Sequence, residues 1–159
     1  MTRPRQKGAG IVEFALILPL FLLLIMGILE FGSYFFVQHT LQYATREGMR
    51  LGLVGGRLPN GHGGYLTREE SIIQAVREEA SLAVNSANIS VYVYPVLTDY
   101  QDPTNWQDLP PNAGDPGVYM RVRTRYTLRF ITPLIAAFFP GGQIIVEAQG
   151  TYRNELFDA

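Results

Sequence analysis

A long apolar segment near the N-terminus limits what this chain can fold into. In residues 14–37, 19 of 24 positions are hydrophobic and a single residue, Glu30, is charged. An α-helix needs about 20 mostly apolar residues to cross the roughly 30 Å hydrocarbon core of a membrane. Long helices of globular proteins usually keep a polar face, whereas residues 20–26 are apolar on every side. The segment therefore predicts a transmembrane helix. Its course is marked by Phe14, Pro19, Leu23, Glu30 and Val37.

The residues before this segment predict its orientation. Residues 1–7 contain no anion and three cations, Arg3, Arg5 and Lys7. Because positive flanks stay on the cytoplasmic side, we expect a cytoplasmic N-terminus and an exported C-terminal part. A cleaved secretory signal would have an apolar core of about 7–15 residues followed by a site of small residues. Here the run is longer and bulky residues 34–36 follow it, so we expect a single-pass anchor that stays attached.

Composition argues against several classes of function. The 159 residues hold 13 Lys and Arg against 14 Asp and Glu, a balance that does not suit a nucleic-acid binder. Because the chain has no cysteine, disulfides, thiol catalysis and cysteine metal sites are excluded. Its two histidines, His39 and His62, form no zinc motif, and no Gly-x-Ser-x-Gly nucleophile motif occurs. We therefore expect neither an enzyme nor a cofactor or metal site.

After the span the apolar pattern narrows to one stripe, which predicts that the helix continues to about residue 54. Small and apolar residues recur there at helical intervals of three and four. They are Val37, Leu41, Ala44, Gly48 and Leu51. A Gly- and Pro-rich linker is expected over residues 55–66. Thr67 and Glu70 form a capping-box pattern, which predicts a second helix over residues 67–85.

Three later segments alternate between apolar and polar residues and predict strands. They cover residues 89–97, 118–130 and 143–153. Together with the helices they favour an α+β fold, in which a small antiparallel sheet rests on the long helix.

One face of the second strand carries four arginines, which are a candidate partner face. They are Arg121, Arg123, Arg125 and Arg129. Guanidinium groups suit an acidic neighbour or lipid phosphates. The plainer alternative is pairing with Glu147 or Glu155 across the sheet, which contributes little when exposed.

The connections between the strands give two further expectations. Residues 98–117 are rich in Asp, Asn, Pro and Gly; a solvated loop is expected, although its aspartates are also the kind of ligand that Ca²⁺ prefers. Residues 131–139 are apolar but too few to cross a bilayer. Core packing is expected for them, with contact to the membrane surface or to a partner subunit as the alternative.

Glu13 stands out because it lies among apolar residues at the start of the span. A carboxylate at such a depth is costly and suggests a specific partner. Alternatively, Glu13 marks the cytoplasmic interface and stays hydrated. Its position alone leaves both explanations open.

Two sequence segments resemble a known family. Residues 7–14 (KGAGIVEF) resemble a class III signal peptide, in which a basic leader ends in Gly and Glu follows at the fifth position. Residues 8–32 (GAGIVEFALILPLFLLLIMGILEFG) resemble the TadE-like family of minor pseudopilins in tight-adherence (Tad/Flp) pilus systems. Residues 44–50 (ATREGMR) resemble an A-x-R-x-G-x-R pattern of that family.

This resemblance implies a maturation step and an assembly role. A membrane prepilin peptidase would cut after Gly8 and free the amine of Ala9, with which Glu13 would pair in the same or an adjacent subunit. The chain would divide into a leader (1–8), a long pilin-like helix (9–54), the linker (55–66) and an exported head (67–159). Its partners would be other pilin or pseudopilin subunits, lipids of the cytoplasmic membrane and the inner-membrane assembly platform, with no nucleic acid. The alternative is a signal-anchored exported protein whose head binds a ligand or performs chemistry.

Overall fold

The computed structural model describes residues 6–157, with side chains from residue 8 onward, and begins with one very long helix. Helix α1 covers Gln6–Leu53 and continues through Pro19. It ends where Gly55 adopts a positive φ of 70° and Gly56 N–H donates to the Leu51 carbonyl (3.0 Å). Glycine suits this position because a left-handed residue closes the last turn without a Cβ clash.

Helix α2, Arg68–Ala80, starts at the predicted capping box. The amide of Thr67 donates to Glu70 Oε2 (3.0 Å), and the amide of Glu70 donates to Thr67 Oγ1 (3.1 Å). The predicted extension to residue 85 was wrong. The amide of Ala83 donates to the Ala80 carbonyl (3.1 Å), which tightens the chain into a turn after the helix. This region contains Ser and Asn, residues that compete with helical hydrogen bonding.

The sheet has three antiparallel strands, as predicted. They are β1 (Ser90–Val96), β2 (Tyr119–Arg129) and β3 (Gln143–Arg153). The strand order is β1-β2-β3, so β2 is central. Val93 lies opposite Val122, which lies opposite Gly150 on the other side.

The core lies between one face of this sheet and the two helices. Its buried residues come from all of these elements and include Leu41, Ile72, Val76, Val93, Met120, Val122 and Val146. One polar contact is enclosed with them, a hydrogen bond between the hydroxyls of Thr45 and Thr124 (2.8 Å). The α+β fold is thereby confirmed, with the C-terminal half of α1 forming one wall of the core.

The connection between β2 and β3 differs from the expectation of core packing. Residues 131–139 include a short helix α3, Pro133–Ala136, and none of them is buried. Ile131 is 85% exposed and Phe138 is 80% exposed. This segment, the β2–β3 tip, lies at one end of the sheet and outside the core.

Candidate functional site

The N-terminal part of α1 carries the residues predicted for processing and assembly. Gly8, Ala9 and Glu13 are all helical and exposed. Because Ala9 and Glu13 are four residues apart, they lie on one face of the helix. Within the described residues, the Glu13 carboxylate makes no ion pair with this chain's own side chains. The predicted cations Arg3 and Arg5 lie outside the described residues, as does the side chain of Lys7.

The apolar part of α1 extends beyond the head with its side chains exposed. In the part of the chain that the structure describes, α1 is the helix that is both long enough and apolar enough to cross a membrane. Phe14, Pro19 and Leu23 are exposed. Such a large apolar surface on every side suits lipid or other helices and does not suit water. A single-pass membrane anchor fits this helix.

A shallow apolar groove runs along this exposed helix. Gly27 and Gly32 lie in it, and a Cβ built at either position meets no atom within 4 Å. The groove is otherwise lined by large apolar side chains, among them Leu20, Leu24, Ile28, Phe31 and Phe35. Small residues in a membrane helix allow a second helix to approach closely.

Glu30 and Val37, predicted as part of the span, contact the head instead of lying free. Val37 belongs to the core. Glu30 is only 6% exposed, and its Oε1 accepts hydrogen bonds from the backbone amides of Ile131 (2.7 Å) and Thr132 (2.6 Å). Thr132 is the N-cap of α3 and makes no side-chain capping bond of its own. The Glu30 carboxylate therefore satisfies the two backbone amides that precede α3 and ties the β2–β3 tip to α1.

Residues 44–50 place small residues against α2 and arginines away from it. Ala44 and Gly48 are buried, whereas Arg46 and Arg50 are exposed. A Cβ at Gly48 would collide with the side chain of Val76 and lie 3.2 Å from the Ile72 carbonyl oxygen. The small residues of this pattern thus allow α2 to lie close to α1.

The arginine face of β2 is covered by the chain's own loop. Asp102, from the loop 98–117, forms ion pairs with Arg121 and with Arg123 (Nη2–Oδ2 2.8 Å). Tyr94 of β1 donates its hydroxyl to the same carboxylate (2.8 Å). The expectation that this loop is solvated was therefore wrong at Asp102, which two guanidinium groups hold against the sheet.

Glu147 and Trp106 complete this arginine cluster. Glu147 on β3 pairs with Arg123 (Nε–Oε1 3.2 Å) and with Arg125, which confirms the predicted cross-strand pairing for Glu147. The guanidinium carbon of Arg123 lies 4.2 Å from the centre of the Trp106 ring and that of Arg125 lies 4.8 Å from it. A cation over an indole face is attracted by the ring's negative quadrupole.

Burial and charge shift two pKa values in this cluster. Burial raises the pKa of Tyr94 to about 12, and the hydrogen bond to Asp102 acts in the same direction. For Asp102, burial acts to raise the pKa, but the hydrogen bonds from Tyr94 and Arg121 and the charges of Arg123 and Arg121 outweigh it and hold the pKa below its usual value. Asp102 therefore remains an anion, with its charge compensated inside the fold.

The cluster has the character of a structural network. Arg121 and Arg123 are buried, so their charges are directed at Asp102 and Glu147. Arg129, near the β2–β3 tip, is exposed. Partner binding by the arginine face stays a prediction. Arg129 is the arginine of this face that is most accessible to a partner, because it is exposed. In the described residues, no three His, Asp or Glu side chains form a group able to hold a metal ion.

Sequence reasoning missed three of the contacts that organise the molecule. It did not link Asp102 to the arginines, did not place Trp106 against them, and did not predict that Glu30 accepts hydrogen bonds from the tip. Glu30 carried a usable signal, since a charge in an apolar helix needs a partner. Asp102 and Trp106 carried none, because the loop that contains them has no periodicity.

A comparison with protein families gives a match to the N-terminal part of the chain. The family model described as TadE-like protein matches residues 8–50, which confirms the resemblance over this segment. The matched residues all lie in α1, and the match does not extend into α2 or the sheet. No curated protein and no solved structure matches the chain.

Proposed function

We propose that this protein is a minor pseudopilin that takes part in assembling a Tad/Flp-type pilus. The observation that carries the proposal is the coincidence of the TadE-like match at residues 8–50 with α1, whose apolar half is free of the head. A helix with this exposed surface can pack against other pilin-like helices in a membrane. The protein would act through assembly and not through catalysis.

The protein would be anchored in the cytoplasmic membrane with its head exported. The three cations before the span favour a cytoplasmic N-terminus by the positive-inside rule. The inner-membrane assembly platform and the membrane lipids would surround the span.

Maturation by a prepilin peptidase would precede assembly. Cleavage between Gly8 and Ala9 hydrolyses that peptide bond and leaves a positive amine on Ala9. The exposed position of both residues is compatible with access by the peptidase. The Glu13 carboxylate, one helical turn away, would pair with the new amine of its own chain or of a neighbouring subunit. Pairing offsets the cost of placing either charge in the membrane.

Two measurements test this mechanism. Mass spectrometry of the membrane-extracted protein should find Ala9 as the N-terminal residue. An N-terminus at residue 1, or beyond residue 30, would contradict processing after Gly8.

The second measurement compares Glu13→Ala with Glu47→Ala on the same helix. Glu47 pairs only with the nearby Arg50 among the described contacts (2.9 Å), so its loss serves as a matched control. We expect Glu13→Ala to abolish pilus assembly or peptidase-dependent maturation while the head stays folded, and Glu47→Ala to retain both. Normal maturation and pilus assembly in Glu13→Ala would remove the main support for the proposal.

A further inference from the structure

The β2–β3 tip exposes apolar side chains that the fold does not use. Ile131 and Phe138 are the most exposed of them, and Leu134 is also exposed. Residues 130–142 contain no charged residue. Isolated apolar residues on a surface are ordinary, but a contiguous and uncharged apolar projection marks a contact surface.

The tip lies beside the membrane-crossing helix at a definite depth. Glu30 holds the amides of Ile131 and Thr132, so the tip is level with residue 30 of α1. Sixteen residues separate Phe14 from Glu30, and at about 1.5 Å per residue they span about 24 Å. A hydrocarbon core about 30 Å thick that begins near Phe14 therefore ends beyond Glu30. A tip at this level is within reach of the lipid on the exported side.

The backbone of the tip is suited to an apolar surrounding. In lipid, backbone amides need partners within the protein. Those of Ile131 and Thr132 donate to Glu30. Four more, at positions 136, 137, 138 and 139, donate to carbonyls of the tip itself, and the flanking amides of Phe130 and Gly142 are also paired. Pro133 and Pro140 have no amide hydrogen to satisfy. Six of the eight backbone amides in residues 131–139 thus have a partner inside the protein, those of Leu134 and Ile135 being the exceptions.

The residue that precedes the tip fits the boundary of the membrane. Arg129 is exposed at the end of β2, immediately before the uncharged segment. A long cationic side chain next to apolar residues can reach the phosphate groups of lipids while the apolar part lies deeper.

We infer that the β2–β3 tip inserts into the lipid on the exported side of the membrane and seats the head on the bilayer. The occupant of this surface is lipid: acyl chains contact Ile131, Leu134 and Phe138, and headgroup phosphates contact Arg129. The inference rests on the membrane anchoring in the proposed function but not on maturation or pilus assembly. Glu30 belongs to the same arrangement, because it satisfies the two amides at the point where the chain leaves β2.

Site-directed spin labelling of the full chain tests this inference. Since the sequence has no cysteine, Phe138→Cys provides a unique attachment point for a nitroxide in phosphatidylcholine vesicles that contain only this protein. Leu97→Cys is the matched control, because Leu97 is 76% exposed and follows β1 at the opposite end of the sheet. Leu134→Cys is a second reporter in case the label at position 138 disturbs the tip.

The expected result is a reversal of accessibility between the two ends of the head. Labels at positions 138 and 134 should relax through oxygen dissolved in lipid and be shielded from a water-soluble nickel chelate, whereas a label at position 97 should be open to the chelate. Equal chelate access at positions 138 and 97 would overturn the inference. Shielding that occurs only when other pilus proteins are added would also overturn it, in favour of a protein partner. Neither outcome bears on the Glu13 experiment, since the vesicles contain no peptidase and no other subunit.

Discussion

At the scale of single residues, Asp102 connects a long loop to the central strand. Its carboxylate forms ion pairs with Arg121 and Arg123 and accepts a hydrogen bond from the hydroxyl of Tyr94. Without it, two largely buried guanidinium groups would lose an anionic partner, and an uncompensated buried charge is costly. One carboxylate thus fixes the loop against the central strand.

The substitution Asp102→Asn should therefore destabilise the head. Hydrogen bonds to charged groups contribute about 1.5–3 kcal/mol, and partial exposure of Asp102 places the expected loss near the lower end. Chemical unfolding of the detergent-solubilised chain, followed by the fluorescence of Trp106, measures it. Asp108→Asn is the matched control, since Asp108 is exposed in the same loop, and it should unfold like the natural sequence. Equal stability of the two variants would contradict the assignment.

Acid should remove this contribution. The pKa of Asp102 is lower in the folded state than its usual value of 3.8, so its stabilisation is complete above that value and is lost as the pH falls through the folded pKa. The stability difference between the natural sequence and Asp102→Asn should accordingly shrink below about pH 4. Comparing the two chains is necessary, because the pKa of Glu69 is also lowered in the fold. A difference that stays constant down to pH 2 would contradict the predicted linkage.

At the scale of elements, the close contact between α1 and α2 depends on Gly48. A Cβ at this position would meet Val76 and the backbone of Ile72, and a rigid backbone cannot move aside as a flexible side chain does. Forcing extra volume into a packed interface typically costs about 1–3 kcal/mol.

Gly48→Ala should destabilise the head by about that amount, despite the higher helix propensity of alanine. Gly32→Ala on the same helix is the control, because no atom lies within 4 Å of its added Cβ. It should leave stability unchanged or raise it by up to about 1 kcal/mol. Thermal unfolding monitored by circular dichroism in detergent compares them, and a Gly48→Ala chain as stable as Gly32→Ala would refute the close-packing argument.

The elements with a clear period could be predicted from the sequence, and those without one could not. The alternation in β2 and β3 predicted both strands, and in β2 it also predicted the arginine face, because a strand side chain's direction follows from its position. The end of α2 at Ala80 was missed, since apolar spacing continued past the point where the turn begins. Asp102 and Trp106 cover the arginine face through contacts between segments that are distant in the sequence. A local sequence pattern contains no information about such contacts.

At the scale of the whole molecule, Glu30 sets how the head sits relative to the span. Among the residues of α1 whose burial is described, from Gly8 onward, it is the first buried one, and every later buried position of this helix faces the core. The head is thus attached along α1 from residue 30 onward, which leaves residues 8–29 as the free part of the helix.

Glu30→Leu should loosen the tip while preserving the core. The amides of Ile131 and Thr132 would lose their acceptor, and the loss of hydrogen bonds worth at least about 1.5 kcal/mol corresponds to exchange about tenfold faster or more. Hydrogen–deuterium exchange in detergent measures it, and amides of β2 provide an internal reference. Glu30→Gln retains the side-chain oxygen and should protect the two amides partly. Unchanged exchange at Ile131 and Thr132 in Glu30→Leu would show that the Glu30 carboxylate does not protect these two amides.

The unbroken course of α1 has a mechanical consequence. A helix of 48 residues is about 72 Å long and transmits axial displacement like a rod. The head is fixed to α1 from residue 30 onward. Because the described helix is continuous, an axial force on residues 8–29 would move the head together with them. With the tip seated in lipid, lifting the rod by a few residues of rise would draw the apolar side chains into water, and the resisting force would increase with the first ångströms of travel. Displacement of the helix along its axis would thus be opposed by the free energy of exposing this apolar surface to water.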